Sequence, residues 1–414
     1  MSTGLVLGLR CFRCAKEHSE GDAPYVCPSC GGNLDVIYDY KALRRRVTRA
    51  SLKKDLEPGV WRYEALLPVR RWKGRPTVRI GGTPLYKAER LGRALGLKSL
   101  WLKDDGRNPS ASFKDRAGAV AVAKALERGE KIITGASTGN AASSLACLCA
   151  SLGLKTVIFL PEKAPAAKVA QLLVFGAEVF AVRGTYDDAF DLCLKASAEY
   201  GWYNRNTGYN PYTREGKKTC AYELLEGLDW KVPDQVFVSV GDGNILSGLW
   251  KGFKDFHALG LVERLPRMVA VQAEKSDAIK RAFEGDGVVR PVSGETIADS
   301  ISVSLPRDGD AAVQALRESG GYAVSVSDAE ILAAMRELAR SESVFAEPAG
   351  AAAVAGLRKA AEAGKARAKD RVAVVVTGNG LKDVASAMKA VGEPHKLAPE
   401  LSELKKLVVK LRIG

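Results

Sequence analysis

The chain has 414 residues, too many for one ordinary core, and its 46% apolar and 27% charged content excludes a disordered chain. No run approaches the ~18 uninterrupted apolar residues of a membrane span, so an integral helical membrane protein is excluded. The formal charge of +14 raises nucleic acid as a partner, yet Lys and Arg are spread along the whole chain. The densest runs (Arg44-Arg45-Arg46 through Lys53-Lys54, and Lys405-Lys406) have no recognition motif beside them, which favours a solvated surface and phosphorylated small-molecule ligands over nucleic acid.

The opening Met1-Ser2-Thr3-Gly4 leads into Leu5-Val6-Leu7-Gly8-Leu9 and meets Arg10 and Cys11 at once. An apolar run this short, with no basic residues before it, is not read as a signal peptide, and a cytoplasmic enzyme is the default. Four of the eight cysteines follow as Cys11-x-x-Cys14 and Cys27-x-x-Cys30. Each pair can offer two thiolates to one ion, and two such knuckles complete a closed tetrahedral site with no open position, so a zinc there is structural. Residues 1–40 are too few to bury much apolar surface, and bound zinc would supply the missing stability. The alternative is a ribbon without metal, held by packing on the main body. The remaining cysteines (Cys147, Cys149, Cys193 and Cys220) sit in apolar or helical contexts and read as buried small hydrophobes.

Leu34-Asp35-Val36-Ile37-Tyr38 alternates as a strand does. Residues 41–80 are basic and irregular, with Pro58, Pro68 and Pro76, and read as a linker that wraps around the body. From 81 onward, short apolar strands alternate with longer helices. Strands are expected over 99–103, 131–134, 156–160, 179–182, 236–240, 268–272 and 371–376, with helices over 114–128, 140–152, 186–200, 328–340 and 348–364. Continuous apolar strands separated by helices predict an α/β fold with open, mostly parallel sheets.

Four constellations carry chemistry. Ser112-Phe113-Lys114-Asp115-Arg116 follows a loop and opens a helix. A lysine there feels the positive end of the helix dipole, which favours the neutral amine that condenses with aldehydes. Gly135-Ala136-Ser137-Thr138-Gly139-Asn140 brings backbone N–H groups to a helix start, a place for a carboxylate or phosphate. Gly241-Asp242-Gly243-Asn244, between an apolar strand and a helix, has the makings of a phosphate cradle. Its spacing is not that of a dinucleotide fingerprint, so a nicotinamide cofactor is discounted. Thr377-Gly378-Asn379-Gly380-Leu381-Lys382-Asp383 puts a hydroxyl at the carboxyl end of a strand, where open α/β sheets bind ligands. A plain turn or a solvated lysine is the alternative for each one taken singly.

Taken together, in this order and beginning at Gly81-Gly82-Thr83-Pro84-Leu85, these motifs resemble the fold-type II (tryptophan synthase β-like) pyridoxal-phosphate enzymes, and within them the threonine synthase family. The resemblance implies two open α/β subdomains in 81–414, with about 115–225 the smaller and mobile one, preceded by the zinc-ribbon-like unit. It implies that Lys114 holds pyridoxal 5'-phosphate as a Schiff base and shuttles protons. Phe113 would pack on the cofactor, Asn140 would bond its 3-hydroxyl, and Thr377 its ring nitrogen. Gly241, Asp242, Gly243 and Asn244 would hold its phosphate. Ser137, Thr138 and Gly139 would receive the carboxylate of a small amino-acid substrate. A homodimer is implied as well.

Two departures bear on the substrate. Ala141 stands where the family commonly has threonine. In Asn210-Pro211-Tyr212-Thr213-Arg214-Glu215-Gly216 the arginine falls one place later than in the family's Asn-Pro-x-Arg-x-Glu-Gly stretch. One place at a helix start turns a side chain by about 100°. Arg214, Lys217 and Lys218 are the candidates for the substrate phosphate. The reaction implied is O-phospho-L-homoserine plus water to L-threonine and phosphate. The alternative is elimination or replacement at Cβ of a smaller amino acid, with threonine or serine dehydratase the plainest form; the shorter 241–244 loop and Ala141 favour it. A catalytically silent relative is disfavoured because the lysine and the glycine loops are all present.

Overall fold

Three sheets organise the chain. A computed structural model describes residues 5–21, 25–69, 75–137, 139–164 and 166–413. At the front, β1 (Val6–Cys11), β2 (Glu17–His18) and β3 (Leu34–Tyr38) form an antiparallel ribbon in the order β2-β1-β3. The short apolar run at the start is thus a strand: Leu5 and Leu9 are buried, and β1 delivers Cys11 to the ribbon. Residues after the ribbon bury Leu43, Leu52, Trp61, Tyr63 and Leu66 in the main core. They contain helical turns over Tyr40–Leu43, Arg49–Lys54 and Val60–Leu66 that the irregular sequence conceals.

The larger sheet is built from β4 (Leu85–Lys87), β5 (Ser99–Asp104), β10 (Gln235–Ser239), β11 (Arg267–Ala273), β12 (Tyr322–Val326) and β13 (Arg371–Val376). Its order is β12-β11-β10-β13-β5-β4. All neighbours are parallel except the β4–β5 edge pair. Every residue of β10 is buried, which is why it reads as a continuous apolar run: helices cover both faces. The smaller sheet, wholly parallel, takes β6 (Ile132–Ala136), β7 (Lys155–Pro161), β8 (Glu178–Val182) and β9 (Tyr203–Asn204) in the order β8-β7-β6-β9. It is inserted between β5 and β10, so the chain leaves the larger sheet through the Lys114–Glu127 helix and returns through Tyr212–Lys217.

Those two helices pack closely because Gly216 lies at their contact. A Cβ built there would meet the Arg116 carbonyl oxygen at 1.8 Å. A buried ionic knot fixes the same junction. Arg116 pairs with Asp105 at 2.6 Å and with Glu223 at 2.6 Å, and Lys103 reaches Glu223 at 2.6 Å. Glu223 also accepts the Gly82 N–H at 2.9 Å, so the Gly81-Gly82-Thr83 turn is tied into this knot. The carboxyl ends of the strands of both sheets consequently open onto the same cleft.

Candidate functional site

Lys114 is the first residue of its helix, and its position is set from both sides. The Phe113 N–H donates to the Thr377 carbonyl at 2.8 Å, and Ser112 forms a bridge with Gly378, stitching the lysine loop to the end of β13. Asp115, fully buried, accepts from the Ser110 N–H at 2.7 Å and the Ser110 hydroxyl at 2.6 Å, closing the turn before it. Burial holds the Lys114 amine below the ordinary lysine range; Arg205 pushes it the same way, and Asp242 and Glu347 oppose. Burial is the largest cause, so removal from water, more than any one charged neighbour, disfavours the protonated amine.

Lys114 stands where two cavities meet. The inner one is lined by Phe113, Asn140, Ser239, Gly241, Asp242, Gly243, Asn244, Glu347 and Thr377. The structure therefore brings together, around one space, the lysine loop, the asparagine of the second motif, the glycine loop and the β13 hydroxyl. The glycine loop lies at the start of the Asn244–Ala258 helix. Gly243 has φ +93, and a Cβ there would meet the Asp308 carbonyl oxygen at 2.9 Å. Asn140 donates to Glu347 at 2.6 Å and to the Ser300 hydroxyl at 3.2 Å. Burial pushes the Glu347 carboxyl up to about 7.

The fit of this inner cavity to pyridoxal phosphate rests on polar groups left over within it. The Ser239 hydroxyl is buried with no partner at the carboxyl end of β10. Next to the glycine loop, the buried Lys217 amine has, among the described residues, only the neutral Asn244 side-chain oxygen as its hydrogen-bond acceptor. Burial, with Lys114 and Arg205 nearby, holds Lys217 well below the ordinary lysine range. A helix start, a spare hydroxyl and a buried lysine that an anion would favour in its charged form together suit a phosphate dianion.

The outer cavity, of about 420 Å³, has room for a small amino acid. Ala136, Ser137, Gly139, Asn140 and Ala141 form one wall, and Thr185, Tyr186, Arg205 and Thr207 another. The segment from Ser293 to Arg307 covers the far side. Thr138 lies outside the described residues. Two ion pairs bridge the smaller sheet's elements to that covering segment: Lys168 with Asp299, and Arg307 with Asp187 at 2.5 Å.

The structure places Arg214 elsewhere. Its guanidinium is buried behind the glycine loop, 2.5 Å from Asp308, with further contacts to the Leu34 carbonyl at 2.9 Å and to Asp35 at 3.4 Å. Thr213, one place earlier, is fully buried with its hydroxyl on the Asn210 carbonyl at 2.8 Å. Lys218 is enclosed with Glu215 at 2.7 Å and Asp255 at 2.9 Å. None of the three lines the outer cavity. The cations that do are Lys114, Arg205 and Arg307. Arg205 escaped the sequence reading because the two-residue strand before it is too short to show a period; its place just past a strand end was the available signal.

In the ribbon, the sulfurs of Cys11, Cys14, Cys27 and Cys30 all lie within 4.8 Å of one another. Cys11 and Cys30 are 3.5 Å apart, Cys14 and Cys27 3.6 Å. A tetrahedron with Zn–S bonds of about 2.3 Å has edges of about 3.8 Å, whereas a disulfide needs about 2.05 Å. The Arg13 and Cys14 N–H groups point at the Cys11 sulfur at 3.4 and 3.5 Å, as donors to a thiolate do. A Cβ on Gly32 would come within 2.9 Å of that sulfur. The donor set fits a closed zinc site. Cys147, Cys149, Cys193 and Cys220 are all buried and unbridged.

The family model described as "Pyridoxal-phosphate dependent enzyme" matches residues 77–378. A threonine synthase of Methanocaldococcus jannaschii is 40% identical over 405 residues, covering 97% of this chain and 99% of that protein. One of Methanosarcina acetivorans is 41% identical over 404 residues, covering 97% and 98%. Among solved structures, the diaminopropionate ammonia lyase of Escherichia coli superposes with a TM-score of 0.67 at 21% identity, covering 80% of this chain and 91% of that one, which shows the fold. With a family model spanning most of the catalytic region and relatives matched nearly end to end, the chain belongs to the pyridoxal-phosphate-dependent enzymes and, within them, to the threonine synthase family.

Proposed function

We propose that the protein converts O-phospho-L-homoserine and water to L-threonine and phosphate. The observation that carries this reading is the desolvated Lys114 amine at the junction of an inner cavity lined by the glycine loop, Asn140 and Thr377 and an amino-acid-sized outer one. The near full-length likeness to threonine synthases supports the substrate.

Phe113, Lys114, Asn140, Gly241, Asp242, Gly243, Asn244 and Thr377 would hold the cofactor. Pyridoxal phosphate supplies, when bound, an electron sink that acidifies substrate C–H bonds. Lys114 moves the protons: neutral, it takes one from Cα, and its reach along the cavity lets it serve Cβ and Cγ in turn. Ser137, Thr138 and Gly139 orient the substrate carboxylate with N–H and hydroxyl donors. A proton leaves Cβ, its bonding pair joins Cβ to Cγ as the Cγ–O bond breaks with its own pair on oxygen, and phosphate departs; Cγ then gains a proton, and water adds its hydroxyl at Cβ as Cα is reprotonated. One water is consumed and one phosphate released, so the sum balances. Residues from about 115 to 225 close over the site to exclude bulk water. The Lys168–Asp299 and Arg307–Asp187 pairs, which span the mouth, support such a closing element. Superposable structures with and without a substrate analogue would remove the closure from the scheme.

The four cysteines would hold one structural zinc, and the working form would be a cytoplasmic homodimer. A second reading, β-elimination on threonine or serine, draws on Ala141 at the cavity wall. One assay separates the two. Phosphate release from O-phospho-L-homoserine, with threonine identified as product, supports the first. Absence of phosphate, with 2-oxobutanoate or pyruvate formed from threonine or serine, establishes the second.

A further inference from the structure

A substrate with a phosphate ester needs a cationic partner in the outer cavity, and the arginine nearest the family's expected position does not provide it. Arg214 is committed to Asp308 and Asp35 behind the glycine loop. Of the cations on the cavity wall, Lys114 belongs with the cofactor and Arg307 is paired with Asp187. Arg205 remains.

Its setting is built. The Arg205 N–H donates to the Thr134 carbonyl at 2.9 Å, pinning its main chain at the carboxyl end of the smaller sheet. The next residue, Asn206, accepts the Ala136 N–H at 2.7 Å and fixes the same loop from the other side. The side chain is buried, at 2% exposure, and among the described residues it forms no ion pair. Its Nη1 makes one long contact, 3.4 Å, to the Thr207 hydroxyl. Among the described residues, its Nε and Nη2 have no hydrogen-bond partner. These two nitrogens form one edge of the guanidinium, the edge whose parallel N–H groups match two oxygens of a phosphate. A buried cation with its fork edge unpaired is costly unless an anion arrives. Arg205 lines the outer cavity and not the inner one, so the anion it awaits is on the substrate side.

We propose that Arg205 is the phosphate-recognition residue of this enzyme: its Nε and Nη2 grip two oxygens of the substrate's phosphate ester and hold them as the group departs. This rests on the reaction proposed above. It gives the cavity a means of rejecting serine and threonine, which would leave the fork edge unpaired and desolvated. It also makes the shift of Arg214 intelligible, because the cation has been supplied from a different loop.

The test uses cofactor-loaded wild type and Arg205→Gln, titrated by absorbance with 2-amino-5-phosphonopentanoate, an unreactive phosphono amino acid, and with L-norvaline, its counterpart without the phosphonate. The expected result is binding of the phosphono compound weakened by about 100-fold or more in the variant, from loss of two charge-assisted hydrogen bonds. Norvaline affinity and the cofactor's visible absorbance should change little, which also certifies a folded site. Arg205→Lys should recover part of the loss. Unchanged phosphonate affinity, an equal loss for both ligands, or loss of the cofactor would overturn the assignment. A wild type that makes threonine while the variant binds as tightly defeats this inference alone. A wild type that neither makes threonine nor binds the phosphono compound defeats the reaction as well.

Discussion

Asn140 donates an amide hydrogen to Glu347 at 2.6 Å, joining the first residue of the Asn140–Ala150 helix to the residue that precedes the Pro348–Glu362 helix. The bond links the smaller sheet's elements to the larger one's at the wall of the inner cavity, and it does so with a carboxyl group removed from water.

That carboxyl makes stability depend on pH. Burial raises Glu347 to about 7 from the ordinary 4.5, so the folded chain holds this proton more firmly than the unfolded one. Its contribution is most favourable below pH ~4.5 and declines as pH rises to about 7, levelling off above. The full effect is on the order of 3 kcal/mol. Urea unfolding of cofactor-free wild type and Glu347→Gln at pH 5 and 7.5 should show the variant losing less stability over that interval. Parallel losses would show that Glu347 does not titrate there.

Lys114→Ala should abolish threonine formation and the long-wavelength absorbance that depends on the lysine amine, while the far-ultraviolet dichroism stays that of the wild type. Activity retained together with that absorbance would remove Lys114 from the mechanism. Lys114→Arg should not rescue, since arginine stays protonated at any pH the enzyme meets.

Asp308 accepts hydrogen bonds from Arg214 at 2.5 Å, Asn244 at 2.7 Å, Ser247 at 2.8 Å and the ribbon's Asn33 at 2.7 Å. Asp308→Ala should destabilise the protein by about 3–5 kcal/mol, mostly by leaving Arg214 buried with too little counter-charge. Because Asn244 loses its anchor, pyridoxal phosphate should bind roughly tenfold more weakly, the worth of one hydrogen bond. Denaturant melts and a cofactor titration measure the two effects separately, and a stable variant with unaltered cofactor affinity would contradict both.

Metal analysis should find one zinc per chain. Cys11→Ser should lower that content sharply and reduce the melting temperature by several degrees, because the ribbon draws folding free energy from its metal. Zinc content equal to that of wild type in the variant would refute the four-cysteine site.

The parts of the fold legible in the sequence were those whose cause is local. β10 and β13 announced themselves because both faces are covered, so nearly every side chain is apolar. The lysine, glycine and threonine loops stood out because backbone turns at helix starts demand particular residue types. β9, with two residues, carries no period. The cations were read as a solvated surface, and several are not. Lys103, Arg116, Lys124, Arg205, Arg214, Lys217, Lys218 and Lys251 are all buried. For two of them the partner lies far off in sequence, 94 residues between Arg214 and Asp308 and 216 between Lys251 and Asp35, so no spacing rule could reveal those pairs. Arg205 was hidden for the opposite reason: what marks it is a partner it lacks.

The ribbon has a consequence for how the chain can be cut. The matched family region begins at residue 77, which makes the preceding segment look detachable. Yet Asp35 sits 2.7 Å from Lys251 and 3.4 Å from Arg214, the Val36 carbonyl takes another Lys251 hydrogen bond at 2.6 Å, and Tyr38 donates to Glu215 at 2.6 Å. Truncation before Tyr40 would remove one negative charge from a largely buried ionic cluster and open the Lys251 and Arg214 sites to water beside the glycine loop. The border that sequence families share is here not a border of folding: the enzyme's interior electrostatics begin in its first forty residues.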